Sequence, residues 1–326
     1  MGRIAPRTSW QVALQTLVAA AVALAASAGR AAEPPPRVHF DSQLGEVVIQ
    51  VAGQDVATYV YADPKIRRPY LAHVRAPGGV QVTRTHPPVQ GTDPTDHATM
   101  HPGIWMAFGD LSGHDFWRNK GRIASHRVSV QASGPGRGVL HALRAYHAPG
   151  SLRKALGTED WTLTFLVRPA GYLLIWTSTF RAAREPMVFG DQEEMGLGVR
   201  VATPLTEENG GRILDARGRT GARQVWGHAA KWCDYSGTLD GTPAGVTLMC
   251  APDNFRPSWF HARDYGLLVA NPFGRKAMRK GRPSKVVVTP GKPLTLRYGI
   301  LLHAGKEPDL DAAYRDFLEQ LKQAGD

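Results

Sequence analysis

The sequence predicts an all-β protein, a large antiparallel β-sandwich with one C-terminal α-helix. Three observations predict it. Apolar residues alternate with polar ones over short runs, as when Trp161, Leu163, Phe165 and Val167 interleave with Thr162, Thr164 and Arg168. That period of two is what a half-buried strand requires. Turn formers separate such runs, with 35 glycines and 24 prolines in 326 residues, the punctuation of many short strands. Only the end of the chain shows a helical period: Asp309 offers a cap, and Leu310, Ala313, Tyr314, Phe317, Leu318 and Leu321 recur every three or four residues,.

The elements follow in order. Residues 1–31 read as a secretory signal peptide: Arg3 and Arg7 start it, an apolar run covers 12–26 with Gln15 and Thr16 inside it, and small residues offer cleavage after Ala28 or Ala31,. The run is short for a membrane anchor, and no later stretch reaches the ~18 apolar residues of a span. The protein is therefore expected to be exported, periplasmic or extracellular, with no membrane span. Residues 32–326 are read as one β-sandwich domain, entered through Pro34-Pro35-Pro36. Strands are expected at 44–51 and 56–61 around Gly53-Gln54-Asp55, then at 122–132, 161–167 and 172–181. The remaining ones fall at 197–203, 223–235, 245–250, 265–270 and 294–303.

The net charge is +11, and residues 1–31 hold three arginines and no acid, so the exported chain stays basic. An exported basic protein meets no genome, which removes nucleic acid as a partner and favours acidic glycans. The same charge serves solubility equally well. The two cysteines, Cys233 and Cys250, flank Asp240-Gly241. A loop over 240–243 would set them opposite each other in a hairpin, close enough for a disulfide. Two buried free thiols are the alternative.

Side chains that carry chemistry gather first in residues 93–126. His97, His101, His114 and His126 lie there with Asp96, Asp110 and Asp115 to orient them, and with Trp105 and Trp117. Imidazoles and carboxylates beside aromatic faces suit a sugar or an acid–base site. His97 and His101 are four apart, a spacing that admits zinc or copper when a third ligand joins. Pro102 and Gly103 argue for a turn, so a metal-free site is expected and no cofactor is assigned. His126 lies in a strand beside Val128 and Val130, where a core histidine is as good a reading as a functional one. Asp191, Glu193 and Glu194 crowd before Met195-Gly196-Leu197-Gly198; crowding raises one carboxyl toward neutrality, and Glu194 is the expected acid or base. WCDY, with Asp234 and Tyr235, and WFHARDYGLLVANPF, with Trp259, His261, Arg263, Asp264, Tyr265 and Asn271, form the third group. A basic loop follows, from Arg275 to Lys285, with six cations and no acid.

The segments RPYLAHVRAPGGVQVTRTHPP, DHATMHPGIWMAFGDLSGHDFW, GRIASH, EMGLGVRV, WCDYSG and WFHARDYGLLVANPFG together resemble one family of secreted bacterial proteins over residues 68–303. It is a domain of unknown function often labelled "PmoA family" or "methane oxygenase PmoA". The family pattern resembles Asp-His-Pro-x-His-x-Gly-x-Trp; here Ala98 stands for the proline and the second histidine falls one place later. The resemblance implies a sandwich similar to the galactose-mutarotase supersandwich and a carbohydrate ligand. A particulate methane monooxygenase subunit is an integral membrane protein, which this chain's hydropathy does not match.

These readings lead to a carbohydrate-active protein, foremost an enzyme using His and Glu as acid and base in hydrolysis, elimination or epimerisation. Its catalytic candidates are His97, His101, His126, Glu194 and His261. Trp105, Asp110, Asp234, Tyr235, Trp259, Arg263, Asp264, Tyr265 and Asn271 are the substrate-binding candidates, and one pocket is expected to gather His97, His101, His126, Glu194, Asp234, His261 and Arg263, with Trp105 or Trp259 as a stacking platform. A glycan-binding protein without catalysis is the second reading, and a copper or zinc oxidoreductase the third. The signal segment yields a first test. Amino-terminal sequencing of exported protein should find a start between Gly29 and Glu33, and a chain that keeps residues 12–26 in the membrane would refute the segment's reading.

Overall fold

Two eight-stranded antiparallel sheets share one apolar core. The structure, a computed structural model, describes residues 1–2, 34–151 and 153–323. The expected signal segment lies outside the described residues, Met1 and Gly2 apart. The chain divides after Pro35, and Pro36–Asp326 is one unit.

Along the chain come β1 (Val38–Gln43), β2 (Glu46–Val51), β3 (Gln54–Val60), β4 (Tyr70–Ala72) and β5 (Ile104–Phe108). Four long strands follow: β6 (Arg122–Gly134), β7 (Arg137–His147), β8 (Ala155–Arg168) and β9 (Gly171–Ala182). β10 (Met187–Phe189), β11 (Met195–Arg200) and β12 (Arg212–Asp215) lead to the short helix α1 (Gly221–Val225). The rest is β13 (Trp232–Leu239), β14 (Thr242–Cys250), β15 (Trp259–Ala262), β16 (Leu267–Asn271), β17 (Val286–Val288), β18 (Leu294–Ala304) and α2 (Leu310–Gln323). The first sheet runs β1-β2-β3-β4-β5-β11-β16-β15 and the second β12-β13-β14-β18-β9-β8-β7-β6, while β10 and β17 pair by themselves.

The alternation that predicts the strands also fills the core. Ile49, Tyr59, Met106, Leu197 and Leu268 of the first sheet meet Leu140, Trp161, Trp176, Val246 and Ile300 of the second. One ion pair is buried among them. Arg144 and Glu159, opposite each other on β7 and β8, lie 3.1 Å apart with almost no exposure. Tyr59 accepts from Arg144, Tyr146 and Ser178 donate to Glu159, and the guanidinium lies 4.0 Å from the centre of the Trp161 ring. Each charge is thus matched and hydrogen-bonded, the condition for burying it.

The outer faces differ. Over the second sheet lies α2, with Ala313, Tyr314 and Phe317 packed on Leu173, Trp232 and Leu301. Asp309 caps it as the sequence predicts, its carboxylate accepting from the Ala312 N–H at 2.9 Å,. Over the first sheet lie the loops that join β4 to β5 and β5 to β6, and Ile66, Tyr70, Trp105, Trp117, Leu267 and Val269 form a small apolar cluster beneath them. Among the described residues no helix is long and apolar enough to cross a membrane.

Three expectations need correction. The strand expected at 223–235 starts only at Trp232, because Ala222, Arg223 and Gln224 are good helix formers and make α1,. Gly227, at φ 71°, turns the chain after it,. β7 escapes the sequence reading because Leu140, Leu143 and Tyr146 repeat every three residues and mimic a helix face. The third correction concerns the hairpin of β13 and β14. Asp240 and Gly241, at φ 49° and 77°, form a two-residue turn, and Leu239 pairs with Thr242. Such tight turns fix register. Cys233 therefore faces Leu248 rather than Cys250, and both cysteines are buried free thiols. Burial pushes the Cys250 thiol up to about 12 and raises the Cys233 thiol well above its ordinary value. Peptide mapping without reductant should recover both as thiols, alkylated only after denaturation; a linked pair would contradict this register.

Candidate functional site

The register of the first sheet selects the site's face. Trp105 of β5 pairs with Gly198 of β11, Gly198 with Val269 of β16, and Val269 with His261 of β15. Directly paired residues point to the same side. Trp105 and His261 therefore share the outer face, and alternation adds Glu194, Arg200, Trp259 and Asn271. Gly198 is bare for a reason: a Cβ there would press on the indoles of Trp105 and Trp117.

Three buried arginines pin the loops onto this face. Arg84 donates to the carbonyls of Pro94, Asp96 and His101, and Arg68 to those of Trp117 and Met100 and to the Asn119 side chain. Arg200 takes both oxygens of the Asp96 carboxylate, at 3.1 and 3.0 Å, and Arg84 approaches the same group at 3.3 Å. Partial burial works to raise the Asp96 carboxyl, but hydrogen bonds from Arg200 and His97 and the two guanidinium charges outweigh it and hold it at about 2. Loop carbonyls that no strand satisfies thus find donors.

Asp96 also sets the next layer. Its second oxygen lies 2.5 Å from Nδ1 of His97, and His97 starts a column of near-parallel rings. Its ring centre is 4.9 Å from that of His101 and 6.2 Å from that of Tyr265, while His101 is 5.2 Å from Trp105. Arg200 closes the column, 4.5 Å from the Tyr265 ring centre. At the bottom, both nitrogens of His101 and the indole nitrogens of Trp105 and Trp117 are buried without a partner. Burial, followed by the charges of Arg200, His97, Arg68 and Arg84, pushes the His101 imidazolium down to about 2.

The acid–base candidates stand beside the column. Nδ1 of His261 accepts from the Trp226 indole at 3.0 Å, so the neutral ring carries its proton on Nε2,. Burial and then the Arg263 charge push this imidazole down to about 3. Glu193 lies 3.5 Å from the same Nδ1 and 3.3 Å from Arg263. Asn271 aims this carboxylate indirectly. Its side-chain amide donates to the carbonyls of Gln192 and Glu193, while its oxygen accepts from the N–H groups of Phe273 and Gly274. Glu194 is on the same face but ion-paired with Arg118, which also binds Asp115 at 3.1 Å. The free-standing acid of the crowded trio is thus not Glu194. Asp191 is spent on the N–H groups of Lys276, Ala277 and Ser284. Glu193, His97 and Arg263 are open to solvent, with 41%, 40% and 36% of their side chains exposed, as are the ion-paired Asp96 and Arg118.

Of the candidates, His97, His101, Trp105, Glu194, Trp259, His261, Arg263, Tyr265 and Asn271 lie on one face of the first sheet, and the rest do not. His126 is exposed on β6, the edge of the second sheet, with only His147 as a ring neighbour, 6.3 Å away. Asp234 belongs to the second sheet, where it binds His303 at 2.9 Å and Thr247 at 2.7 Å. Tyr235 points into the core, its hydroxyl donating to the carbonyl of Asp264 at 2.6 Å. Asp110 caps Gly113 within a turn, and the exposed Asp264 caps the N–H of Tyr265. Arg68, Arg84, Arg200, Arg118 and Trp226 are site residues that sequence reasoning misses; Arg200 alone leaves a trace, as a lone charge in the apolar run MGLGVRV. Among the described residues no three His, Cys, Asp or Glu side chains are grouped to hold a metal ion.

The sequence pattern of a family of unknown function, DUF6807, matches residues 46–315. No curated protein matches the chain. Among solved structures, a galactose mutarotase-like protein from Lactobacillus casei is 10% identical, with 82% of this chain and 100% of that one covered at a TM-score of 0.34. A GalM/aldose epimerase homologue from C. elegans is 8% identical, with 82% and 100% covered at 0.33. A galactose mutarotase related enzyme from Lactobacillus acidophilus is 10% identical, with 83% and 98% covered at 0.31.

The two imidazoles of this face, His101 and His261, make stability depend on pH, and His86, which burial pushes down to about 4, acts in the same direction. Each is neutral when folded and takes up a proton on unfolding once pH falls below its ordinary value of about 6.5. Their contribution is therefore complete above that value and is lost on acidification toward about 3 and about 2. Between pH 6 and 5, unfolding should take up about two protons at these rings, a loss of roughly 2–3 kcal/mol. Urea titrations at pH 7, 6 and 5 should show the fall, and His101→Asn should reduce it by one proton's share, about 1 kcal/mol between pH 6 and 5; a flat profile would rule out the buried neutral rings.

Proposed function

The chain belongs to DUF6807, a family of unknown function, and we propose that it is an exported carbohydrate-active enzyme whose site is the outer face of the first sheet. The observation that carries the reading is the pairing of His261 with Glu193. A buried imidazole of fixed tautomer stands 3.5 Å from a solvent-open carboxylate that an arginine orients. Such a pair divides the work between a neutral hydrogen-bond donor, the imidazole, and a proton acceptor, the carboxylate. His261 donates from Nε2–H to a sugar oxygen that gains charge, as a neutral hydrogen-bond donor. Glu193 takes a proton from a hydroxyl, and Arg263 holds it in place.

The neighbouring groups suit a sugar. Trp259 and Tyr265 are half-buried rings on this face, and aromatic faces stack on the apolar faces of pyranose rings. His97 and Arg263 supply exposed donors for hydroxyl groups. Arg118 fixes Glu194 as part of the wall, so Glu193 replaces it in the catalytic role. His97 and His101 serve the site as members of the ring column, without a metal.

The test starts from a screen of neutral and acidic oligosaccharides for hydrolysis, elimination or epimerisation. With a substrate found, Glu193→Gln and His261→Ala, each folded by circular dichroism, should lower turnover ~10²–10⁴-fold, the usual worth of a positioned proton-transfer group. Both should leave sugar binding measurable. Sugar binding by the wild type without turnover of any bound sugar would make this a glycan-binding protein instead. Unchanged turnover in both variants would refute the assignment of the pair.

A further inference from the structure

Arg68 has a second surface besides the one that braces the loops. With Tyr61, Asp63, Arg67, Lys120 and Arg122, it lines a cavity of about 570 Å³ at the junction of the β3–β4 loop and the start of β6. That volume is within the range of small-molecule sites. The wall carries four cations and one carboxylate. Asp63 sets one negative charge against four, and its oxygens are already engaged: one accepts from the N–H groups of Lys65 and Ile66 at 2.6 and 2.7 Å, the other from the Tyr70 hydroxyl at 2.7 Å.

None of the four cations has an ion-pair partner among the described residues. Arg68 is 2% exposed, bonds only to neutral acceptors, and its Nε is buried with no partner at all. Elsewhere in the protein the buried arginines find carboxylates, Arg144 with Glu159 and Arg84 and Arg200 with Asp96. A buried guanidinium with no carboxylate in contact, Asp115 acting on it only from a distance, is costly beside three more cations, and an anion entering the cavity would offset that cost,.

We infer that this cavity is an oxyanion subsite for an acidic sugar. Arg67, Lys120 and Arg122 hold the anionic group, Arg68 adds its charge from behind them, and Tyr61 flanks the ring. The anion is a uronate carboxylate or a sulfate or phosphate ester, since a guanidinium accepts all three in the same forked geometry. Arg68 joins this subsite to the ring column, its Cζ lying 5.7 Å from the Trp105 ring centre. The inference rests on the proposed function only in taking the anion's carrier to be a sugar, because inorganic phosphate probes the cavity alone.

Calorimetric titration at low salt tests it on the full chain, with an oligouronate, a sulfated oligosaccharide, their neutral counterpart and inorganic phosphate as probes. The exposed cations are removed together as Arg67→Gln, Lys120→Gln and Arg122→Gln. The matched control removes three exposed cations elsewhere, Lys280→Gln, Arg282→Gln and Lys285→Gln. At least one anionic oligosaccharide should bind the wild type and the control alike and lose roughly 10- to 100-fold in the cavity variant, the worth of the lost charge-assisted bonds. The neutral oligosaccharide should not distinguish the three proteins. The oligouronate and sulfated arms identify the anion, and competition by inorganic phosphate locates it in the cavity. Equal losses in variant and control would mean attraction to net charge alone and would overturn the subsite. So would the absence of wild-type binding to every anionic probe. Either result leaves the His261 and Glu193 assignment to be judged by turnover.

Discussion

One carboxylate, that of Asp96, is shared by two buried guanidiniums. Arg84 and Arg200 come from different parts of the chain and lie almost fully inside the protein. Without Asp96 two like charges would face each other in a medium that screens them weakly. With it, the loop that carries Asp96 is fixed at the one place where both arginines can reach. His97 then lies against the same carboxylate, and the ring column, Tyr265 and the solvent-open groups take their positions from there. The loops over the first sheet have no ladder of their own, and their order derives from these charge-assisted bonds.

The two sheets use the same device for different ends. In the core, Arg144 and Glu159 are sealed by Tyr59, Tyr146 and Ser178, with every charge matched, and the pair has no access to solvent. On the outer face, the arginines are sealed from below while Asp96, His97 and Glu193 keep part of their surface in water. The covering elements explain the difference. A helix brings an apolar stripe and makes a dry contact, as α2 does over the second sheet. Irregular loops bring unpaired carbonyls and polar side chains, and only there does chemistry have room.

Much of this was legible in the sequence, for local reasons. Strand alternation around Trp161 and the cap of α2 at Asp309 are set by neighbours a few residues away. The clustering of His97, His101 and Trp105 was visible because they lie within nine residues of one another, at the end of one loop and the start of β5. What stayed hidden depends on pairing across the chain. That Glu193 rather than Glu194 meets His261 follows from how the β15–β16 hairpin and Asn271 set the acidic turn, and that Arg118 claims Glu194 follows from the packing of a distant loop. His126 and Asp234 looked equivalent to His101 and His261 in composition, but they belong to the other sheet, a fact that only topology decides. Arg68 and Arg84 gave no signal, because an arginine beside a proline or a threonine is ordinary surface until a loop folds over it.

The connection between β5 and β11 has a consequence for the order of assembly. Trp105 meets Gly198 only after the four long strands β6 to β9, which lie between them in sequence, have been passed. Those strands pair neighbour to neighbour, so the loops they must close are short,. The outer face instead waits for a long loop to close, and its arginine anchors contribute nothing until that has happened. The site is therefore a late product of folding and, in the native ensemble, an early region to open. A bound sugar that bridges both sides of that junction would slow its opening, so occupancy of the site and persistence of the fold are kinetically coupled.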